Sequence, residues 1–413
     1  MRILLPITHA LHARNWLASG QHDRLHGAGI TVDVVASEEI RREWGDLPHG
    51  CCWLPLEPFV GGRARAKVRE ALRLACLVSG AQRGSRTYRH KLTLKRPWLA
   101  RQELRAWRWL SRLRDPERIA SAIERMLPIP AWVQTLPLNF YDLIVLPTLI
   151  HEDNAQNDVV KAAKAKGVRV LAVPASWDTL TTKGSFLVRP DTLAVWGIHS
   201  RQDALAIHGF QTTTVAISGP PWFWPYCKPP KVVSRHLLFA GTSVHYAPDE
   251  LEVLRAVTEA INPTKVVYRP HPRRGANWPL NPGETTRTAE QVAASYALVT
   301  AFSTMIVEAA LCGIPSVVLA FGRSLEDGGA LGSSGAAKDG LAHLNEYEHM
   351  AAIRGQYGVV TAKNLLTVCD ALRGFAREPK DPSLLRAWAL RIADVDRDPR
   401  DRMVEAVKWA AER

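Results

Sequence analysis

The sequence has few of the features that mark secreted, membrane-spanning or metal-binding proteins. Its 413 residues include only six cysteines and no Cys-x-x-Cys pair, so neither a disulfide framework nor a metal site is expected. No run of about 18 apolar residues occurs, and the apolar stretch after Met1 is too short for a signal peptide. We therefore expect free thiols and a cytoplasmic location.

Two common nucleotide-binding signatures are also absent. The chain contains neither the GxxxxGK[ST] order of a P-loop nor a GxGxxG run between a strand and a helix. The glycine-rich stretch from Leu325 to Gly335 predicts instead a mobile loop of the kind that covers a binding site.

The composition is that of a globular chain with one unusual block of charge. Hydrophobic residues make up 46% of the sequence, and the net charge is +13. Residues 61–127 contain 18 Lys and Arg against five Asp and Glu, so this block accounts for the whole excess. The length favours two or three domains, and such a localised surplus indicates one basic surface rather than a generally cationic protein.

Short β-branched or leucine-rich runs alternate with helical patterns, which is typical of βαβ units and a mainly parallel sheet. Strands are predicted in two series, at 3–7, 31–35, 142–146, 168–173, 192–196 and 214–217, and then at 236–240, 265–268, 297–300 and 316–320. We therefore predict an α/β fold with two doubly wound Rossmann-like domains facing a cleft. The expected parts are a first domain at 1–217, a proline-rich linker at 218–230, a second domain at 231–383 and C-terminal helices at 384–413 that pack back across the cleft.

The basic block interrupts the first series and is predicted to be a helical insertion. Within it, apolar residues recur on one helical face and arginines on the other; the two sets are Leu104, Trp107, Leu110 and Leu113, and Arg101, Arg105, Arg108 and Arg112. This pattern fits an interfacial helix on an anionic membrane surface. A core-packed helix with a solvated arginine face is the alternative. Nucleic acid is not an expected partner, because no recognition motif accompanies the arginines.

A cluster of histidine and arginine follows the second strand of the second domain. Here Arg269, His271, Pro272 and Arg273 stand in the run Tyr-Arg-Pro-His-Pro-Arg-Arg. The prolines end the strand and hold the chain extended around the imidazole. Histidine and guanidinium groups at such a strand end are suited to binding a phosphate, although a proline-rich surface loop would look the same.

Two further loops are predicted to lie at the same edge of that sheet. Ser303 and Thr304 follow a strand and begin a helix, and the hydroxyls together with the helix N-terminus favour binding of an anion. Glu308, one turn further along that helix, is placed to bind ribose hydroxyls. The other loop, after the domain's first strand, consists of Gly241, Thr242 and Ser243. Loops after successive parallel strands converge, so all three are expected to face one ligand.

The order of these motifs resembles a known superfamily. His271-Pro272, Ser303-Thr304, Glu308-Ala309 and the run from Gly313 to Pro315 are similar to the nucleotide-binding half of GT-B glycosyltransferases. The resemblance is greatest to bacterial sialyltransferases, Kdo transferases and CDP-glycerol glycerophosphotransferases of surface-polysaccharide synthesis. It implies a donor carrying a cytidine nucleotide, bound through the His-Pro motif and the Ser/Thr pair, with no metal and no separate cofactor.

The catalytic base is sought at the strand ends of the first domain, because the acceptor should lie opposite the donor. The candidates are His9, Glu152, Asp153 and Asp178, and each can deprotonate a hydroxyl that lies within hydrogen-bonding reach. The acidic motif that supplies the base in sialyl and Kdo transferases has no match near the N-terminus. Asp394 and Asp396 match a metal-binding Asp-x-Asp, but they are interpreted as acids of a helical tail.

These observations predict a metal-independent glycosyltransferase that moves a sugar from a nucleotide-sugar donor to a surface-polysaccharide or lipid-linked acceptor. A polyol-phosphate transferase of the CDP-glycerol type and a non-catalytic nucleotide-binding protein are the alternatives. A sugar-nucleotide epimerase has the same architecture, but its acidic signature after the Ser/Thr pair is not found.

Overall fold

The computed structural model describes residues 1–56, 62–79, 87, 115–149, 155–230, 236–242, 250–261, 264–271, 284–301, 303–320 and 347–413. They form two α/β domains, each built on a parallel sheet, which confirms the predicted fold class. The strands of the first sheet are β1 (Arg2–Ile7), β2 (Thr31–Ala36), β3 (Trp53–Pro55), β4 (Leu143–Leu146), β5 (Arg169–Ala172), β6 (Thr192–Val195) and β7 (Val215–Ile217). Those of the second are β8 (His236–Ala240), β9 (Val266–Arg269), β10 (Ser295–Thr300), β11 (Ser316–Leu319) and β12 (Val359–Ala362).

The helices lie mainly between successive strands. In the first domain they are α1 (Ala10–Ala13), α2 (Gln21–Gly27), α3 (Glu38–Trp44), α4 (Gly62–Ser79), α5 (Pro116–Met126), α6 (Ala131–Gln134), α7 (Ala155–Ala165), α8 (Thr179–Thr182) and α9 (Ile198–Ala206), with a π-helical turn at Arg14–Ala18. The others are α10 (Glu250–Ala260), α11 (Glu284–Ala293), α12 (Met305–Leu311), α13 (Leu365–Arg377), α14 (Pro382–Ile392) and α15 (Pro399–Glu412). No described helix has both the length and the apolar composition needed to cross a bilayer.

The strands are buried on both faces, which explains their continuous apolar runs. Ile3, Leu4 and Leu5 of β1 are fully buried, as are Leu237 and Leu238 of β8. Ten strands lie where the sequence predicts them, to within two residues at each end. The described chain also contains two strands that the sequence does not predict, β3 and β12.

The proline-rich segment 218–230 is more than a connection between domains. It contains a 3₁₀ helix, Pro221–Tyr226, and buries Trp222, Phe223 and Tyr226. The rings of Trp222 and Phe223 both contact Trp196 of the first domain, with ring centroids 5.2 Å apart in each pair. The linker is therefore part of the core between the two domains.

The two last helices pack on different domains. Helix α14 contributes Leu385, Trp388 and Ala389 to the core of the second domain. Helix α15 places Met403 and Val407 in the core of the first domain. Asp394 and Asp396 lie between these helices rather than within one, which corrects the interpretation of this pair as helix acids. Asp394 pairs with Arg402 at 2.6 Å.

The insertion is attached to the first domain by buried charges. Arg69 of α4 is fully buried and donates to Glu124 of α5 and Asp158 of α7 at 2.6 and 2.7 Å. The ammonium of Lys161 lies 3.2 Å from both carboxylates. The part of the insertion that carries the predicted arginine-faced helix, 101–113, is outside the described residues.

We predict that this buried network stabilises the attachment of α4 and α5. Arg69→Met would leave two buried carboxylates with less positive charge, so the free energy of unfolding should fall by about 3–5 kcal/mol. Arg125→Met, an exposed position on α5, should change it by less than about 0.5 kcal/mol. Chemical denaturation of both variants measures the difference, and equal values for the two would contradict the prediction.

We also predict that His208 makes the fold sensitive to acid. Burial lowers the pKa of His208 to about 4, and its Nε2 bonds to the Leu180 carbonyl at 2.8 Å. Between pH 6.5 and 4 the unfolded chain binds a proton that the folded imidazole does not, so stability falls as the pH falls through this range. The loss should reach at most about 3 kcal/mol.

The measurement is the free energy of unfolding as a function of pH. The pH dependence between 6.5 and 4 should become flatter in His208→Gln and remain in the control His49→Gln, because His49 is exposed. An unchanged profile in His208→Gln would show that another group causes the acid sensitivity.

Candidate functional site

Each sheet has one point at which the strand order changes direction. In the first sheet β1 lies between β2 and β4, and in the second β8 lies between β9 and β10. Loops on either side of such a point separate and leave a crevice at the carboxyl ends of the strands. The loops after β1, β4, β8 and β10 are therefore where the topology places ligands.

The loop after β8 is closely packed against the loop after β9. A side chain at Gly241 would lie 2.7 Å from Glu250 Oε1 and 2.9 Å from the His271 amide nitrogen. Glu250, which is buried, accepts hydrogen bonds from the Thr242 amide and from the Tyr268 hydroxyl. Gly241 is thus required by contacts within the protein, and Glu250 joins the loop after β8 to strand β9.

Hydrogen bonds to the neighbouring helix α11 hold the side chain of Arg269 in place. Its guanidinium donates to Gln291 Oε1 at 2.8 Å and to Thr288 Oγ1 at 2.7 Å, both on α11. Its charge opposes the rise that burial causes in the pKa of Glu308. Arg269 is thus held against α11, while His271 follows two residues later, half-buried at the end of the strand.

Ser303 and Thr304 precede α12, the helix that follows β10. Ser303 Oγ accepts the Met305 amide at 3.1 Å, so Ser303 rather than Thr304 caps the helix. Both side chains are half-buried. The strand that precedes them, β10, pairs with β8, so the loops that follow these two neighbouring strands leave the same edge of the sheet, where the sequence predicts a shared site with Thr242 and His271.

Glu308 has a different environment from the one expected for a ribose ligand. Its carboxylate accepts a hydrogen bond from the hydroxyl of Tyr226 in the linker. Burial raises the pKa of Glu308, and Arg269 and Arg14 oppose that rise. Burial, together with the nearby carboxylate, also raises the pKa of Tyr226. In this structure Glu308 joins the second domain to the linker.

Arg14 belongs to the part of the first domain that contacts the linker. It begins the π-helical turn after β1, and π-helical turns are frequent at functional sites. Its guanidinium donates to Asn15 Oδ1 at 2.9 Å. The turn contacts the 3₁₀ helix Pro221–Tyr226, and Tyr226 donates to Glu308 of α12, so the carboxyl end of β1 is linked to the second domain through this helix.

Hydrogen bonds join the loops after β1 and β4. Gln156 accepts the Leu149 amide at 2.7 Å and donates to Thr8 Oγ1 at 3.3 Å. Thr8 Oγ1 lies 3.3 Å from Nδ1 of the buried His12. The two loops at the switch point are thereby held together, and the buried histidine after β1 is His12 rather than the predicted His9.

His9 is exposed and caps α1. Its Nδ1 accepts the Leu11 amide at 3.1 Å, so the proton of a neutral ring lies on Nε2. In that tautomer Nε2 carries a hydrogen and cannot abstract a proton. The geometry therefore favours a capping and donating role for His9 over the predicted role of base.

Asp178 lies after β5, on the side of the first domain that meets the second. Its carboxylate accepts the Thr182 hydroxyl at 2.9 Å and is half-buried. The preceding residue, Trp177, contacts the ring of His349 from the second domain, with centroids 5.0 Å apart. Asp178 is thus the described acidic candidate at the domain interface.

Five of the predicted site residues lie outside the described chain: Glu152, Asp153, Ser243, Pro272 and Arg273. Within the described ranges, no group of three or more His, Cys, Asp or Glu is arranged to hold a metal ion. Four further residues at the site are not predicted from the sequence: Arg14, Tyr226, Gln156 and Glu250. Arg14 could have been predicted, because it closely follows β1. The other three are identified only by their tertiary contacts.

Comparisons with known proteins agree with the fold. No family model matches the sequence, and no curated protein is found to match it. A UDP-GlcNAc 2-epimerase from Methanocaldococcus jannaschii, solved with UDP-GlcNAc and UDP, is 10% identical over 99% of this chain and 100% of its own, with a TM-score of 0.50. A UDP-N-acetylglucosamine 2-epimerase is also 10% identical over 98% and 95% of the two chains, with the same TM-score.

Glycosyltransferases occur among the similar structures as well. VinC, solved in complex with dTDP, is 14% identical, with full coverage of both chains and a TM-score of 0.47. The two Rossmann-like α/β domains that the sequence predicted are thus an architecture found in solved structures.

We predict that Tyr226 and Glu308 stabilise the protein as a pair. Tyr226→Phe removes the donor from a desolvated carboxylate and should lower the free energy of unfolding by about 1–3 kcal/mol. The double variant with Glu308→Gln should lose less than the sum of the single losses, because the two groups share one contact.

Denaturation of the wild type, both single variants and the double variant gives the coupling energy. Tyr357→Phe is the matched control: its hydroxyl accepts the Asp381 amide at an exposed position, so its loss should be smaller. Strict additivity of Tyr226→Phe and Glu308→Gln would contradict the proposed pairing.

Proposed function

We propose that this protein is a glycosyltransferase that takes a sugar from a nucleotide-sugar donor bound to the second domain and transfers it to an acceptor bound to the first. The observation that carries the proposal is that the elements following β1 and β10, one from each sheet, both contact the linker helix Pro221–Tyr226. The π-helical turn that begins at Arg14 packs on this helix, and Glu308 of α12 accepts the hydroxyl of its Tyr226, while Ser303 and His271 stand at strand ends on the donor side.

The donor side is suited to a phosphate. A guanidinium, an imidazole and two hydroxyls follow β9 and β10, and charge-assisted hydrogen bonds to phosphate oxygens are among the strong ones. The same groups would stabilise negative charge on a departing nucleotide without a metal ion. The solved structures that share the fold bind UDP-GlcNAc, UDP or dTDP, which supports a nucleotide donor.

The base we propose is Asp178. It is half-buried, one residue from the contact between Trp177 and His349 that joins the two domains, and its carboxylate accepts the Thr182 hydroxyl. A carboxylate at the domain interface is a suitable group to take the proton of an acceptor hydroxyl. His9 is the weaker choice because its Nδ1 already accepts an amide proton.

We further propose, from the resemblance to sialyl and Kdo transferases, that the base of the nucleotide is cytosine and that the acceptor is a surface-polysaccharide or lipid-linked glycan. A CDP-glycerol-type transferase would use the same donor phosphate site. A second candidate, a sugar-nucleotide epimerase, is favoured by the two epimerase structures that span almost the whole chain at a TM-score of 0.50.

The proposal predicts nucleotide binding that depends on the loops after β9 and β10. In a thermal-shift screen of CMP, CDP, UDP and GDP, a bound nucleotide at 100 times its Kd should stabilise the protein by about 2.7 kcal/mol. We expect the largest shift from a cytidine nucleotide. Two variants should reduce the shift: His271→Ala, and the double variant Ser303→Ala with Thr304→Ala. The control Thr258→Ala, at an exposed position of helix α10, should not reduce it.

Product analysis distinguishes the reactions. A glycosyltransferase adds the mass of a sugar to the acceptor, a polyol-phosphate transferase adds a phosphodiester, and an epimerase changes only the donor. Asp178→Asn should abolish acceptor modification while nucleotide binding remains, and exposed Asp370→Asn should be as active as the wild type. Unchanged turnover in Asp178→Asn would exclude Asp178 as the base, and a larger shift from UDP would exclude the cytidine assignment.

A further inference from the structure

Helix α5 has an arrangement of side chains that is the reverse of an ordinary surface helix. Its buried residues are Ala120 and the charged Glu124. Its exposed residues include Ile119, Ile123 and Met126, whose exposed fractions are 38%, 39% and 83%. Surface helices normally turn their apolar stripe towards the core. The three side chains recur at spacings of four and three residues, so they form one stripe.

The buried ion network causes this reversal. Glu124 is turned inwards by Arg69 and Lys161, which lie 2.6 and 3.2 Å from its carboxylate. Glu117, one residue of the same inward face, accepts the Ser185 hydroxyl at 3.1 Å. With both glutamates of α5 on this side, the helix is fixed in the rotation that exposes the stripe.

The charge beside the stripe is mainly basic. Arg118 and Arg125, seven residues apart on one face of α5, are exposed, as is Lys67 of the adjoining helix α4; the exposed acids nearby are Asp115, which caps α5, and Glu70 of α4. Both glutamates of α5 face the protein, so the charged side chains on the outer surface of the helix itself are the two arginines. The surrounding block, 61–127, carries the entire net charge of the chain.

We propose that the outer face of α5, formed by Ile119, Ile123, Met126, Arg118 and Arg125, docks on an anionic membrane surface. The apolar side chains would enter the boundary between headgroups and acyl chains, and the arginines would meet lipid phosphates. None of these five residues is a candidate site residue, so the proposal stands independently of the catalytic function.

A second copy of this chain fits the face less well. A symmetric dimer would place the stripe against its own copy and would bring Arg118 and Arg125 of one copy close to those of the other. Anionic lipid provides the opposite charge. Charge complementarity therefore favours a membrane over self-association.

The test is co-sedimentation with vesicles of phosphatidylcholine and phosphatidylglycerol. The triple variant Ile119→Ser, Ile123→Ser, Met126→Ser should bind on the order of tenfold less than the wild type or weaker. The matched control, Leu251→Ser, Leu366→Ser, Leu384→Ser, removes three exposed apolar side chains from α10, α13 and α14. It should bind as the wild type does.

Two further variants separate the electrostatic contribution to membrane binding from the apolar one. Arg118→Gln with Arg125→Gln should weaken binding at 0.1 M salt, where the Debye length is about 10 Å, more than at 1 M, where it is about 3 Å. Ile123→Trp should strengthen binding, because Trp is favoured at membrane interfaces. Far-UV circular dichroism checks that each variant is folded.

Three results would overturn the proposal. They are no binding of the wild type to anionic vesicles, equal binding of the wild type and the stripe variant, and a dimer in solution that the stripe variant dissociates. The second would assign the attraction to other parts of the basic block, and the third would make the face a dimer interface.

Discussion

The geometry of the cleft depends on how the 3₁₀ helix Pro221–Tyr226 is held between the domains. Trp222 and Phe223 pack on Trp196 of the first domain. The guanidinium of Arg386 donates to the carbonyls of Tyr226, Cys227 and Leu311, joining the linker to α12 and α14. Since every candidate site residue belongs to one domain or the other, the distances across the cleft are set by this junction.

The polar side chains of the second domain fall into two groups. Some are hydrogen-bonded within the protein and hold the loops in place, and others stand at the proposed donor site. Glu308 and Glu250 are occupied by hydroxyl and amide donors of the protein itself. Arg269 is oriented by α11. The two carboxylates therefore hold the loops in position. The other polar side chains described at these loops are neutral or basic. A phosphate is the ligand that such a division favours.

The sequence predicts those parts of the molecule that local patterns determine. Continuous apolar runs locate β1 and β8, because parallel strands are buried on both faces. The three-residue edge strand Trp53–Pro55 has too little pattern to be recognised. The pairing of Arg69 with Glu124 joins residues 55 apart, so a count of charges alone predicts a solvated block. The contact of Tyr226 with Glu308 depends on a proline-rich segment becoming helical, which no spacing indicates.

Helix α15 closes one face of the first sheet, yet it is synthesised after the whole second domain. Its Met403 and Val407 lie in the same cluster as Ile3, Leu5 and Val34. At about 5–20 residues per second, the ribosome needs on the order of ten seconds or more to proceed from residue 217 to this helix. During translation the part of this apolar face that α15 covers therefore stays exposed for that time, and the domain whose synthesis begins first completes its core last.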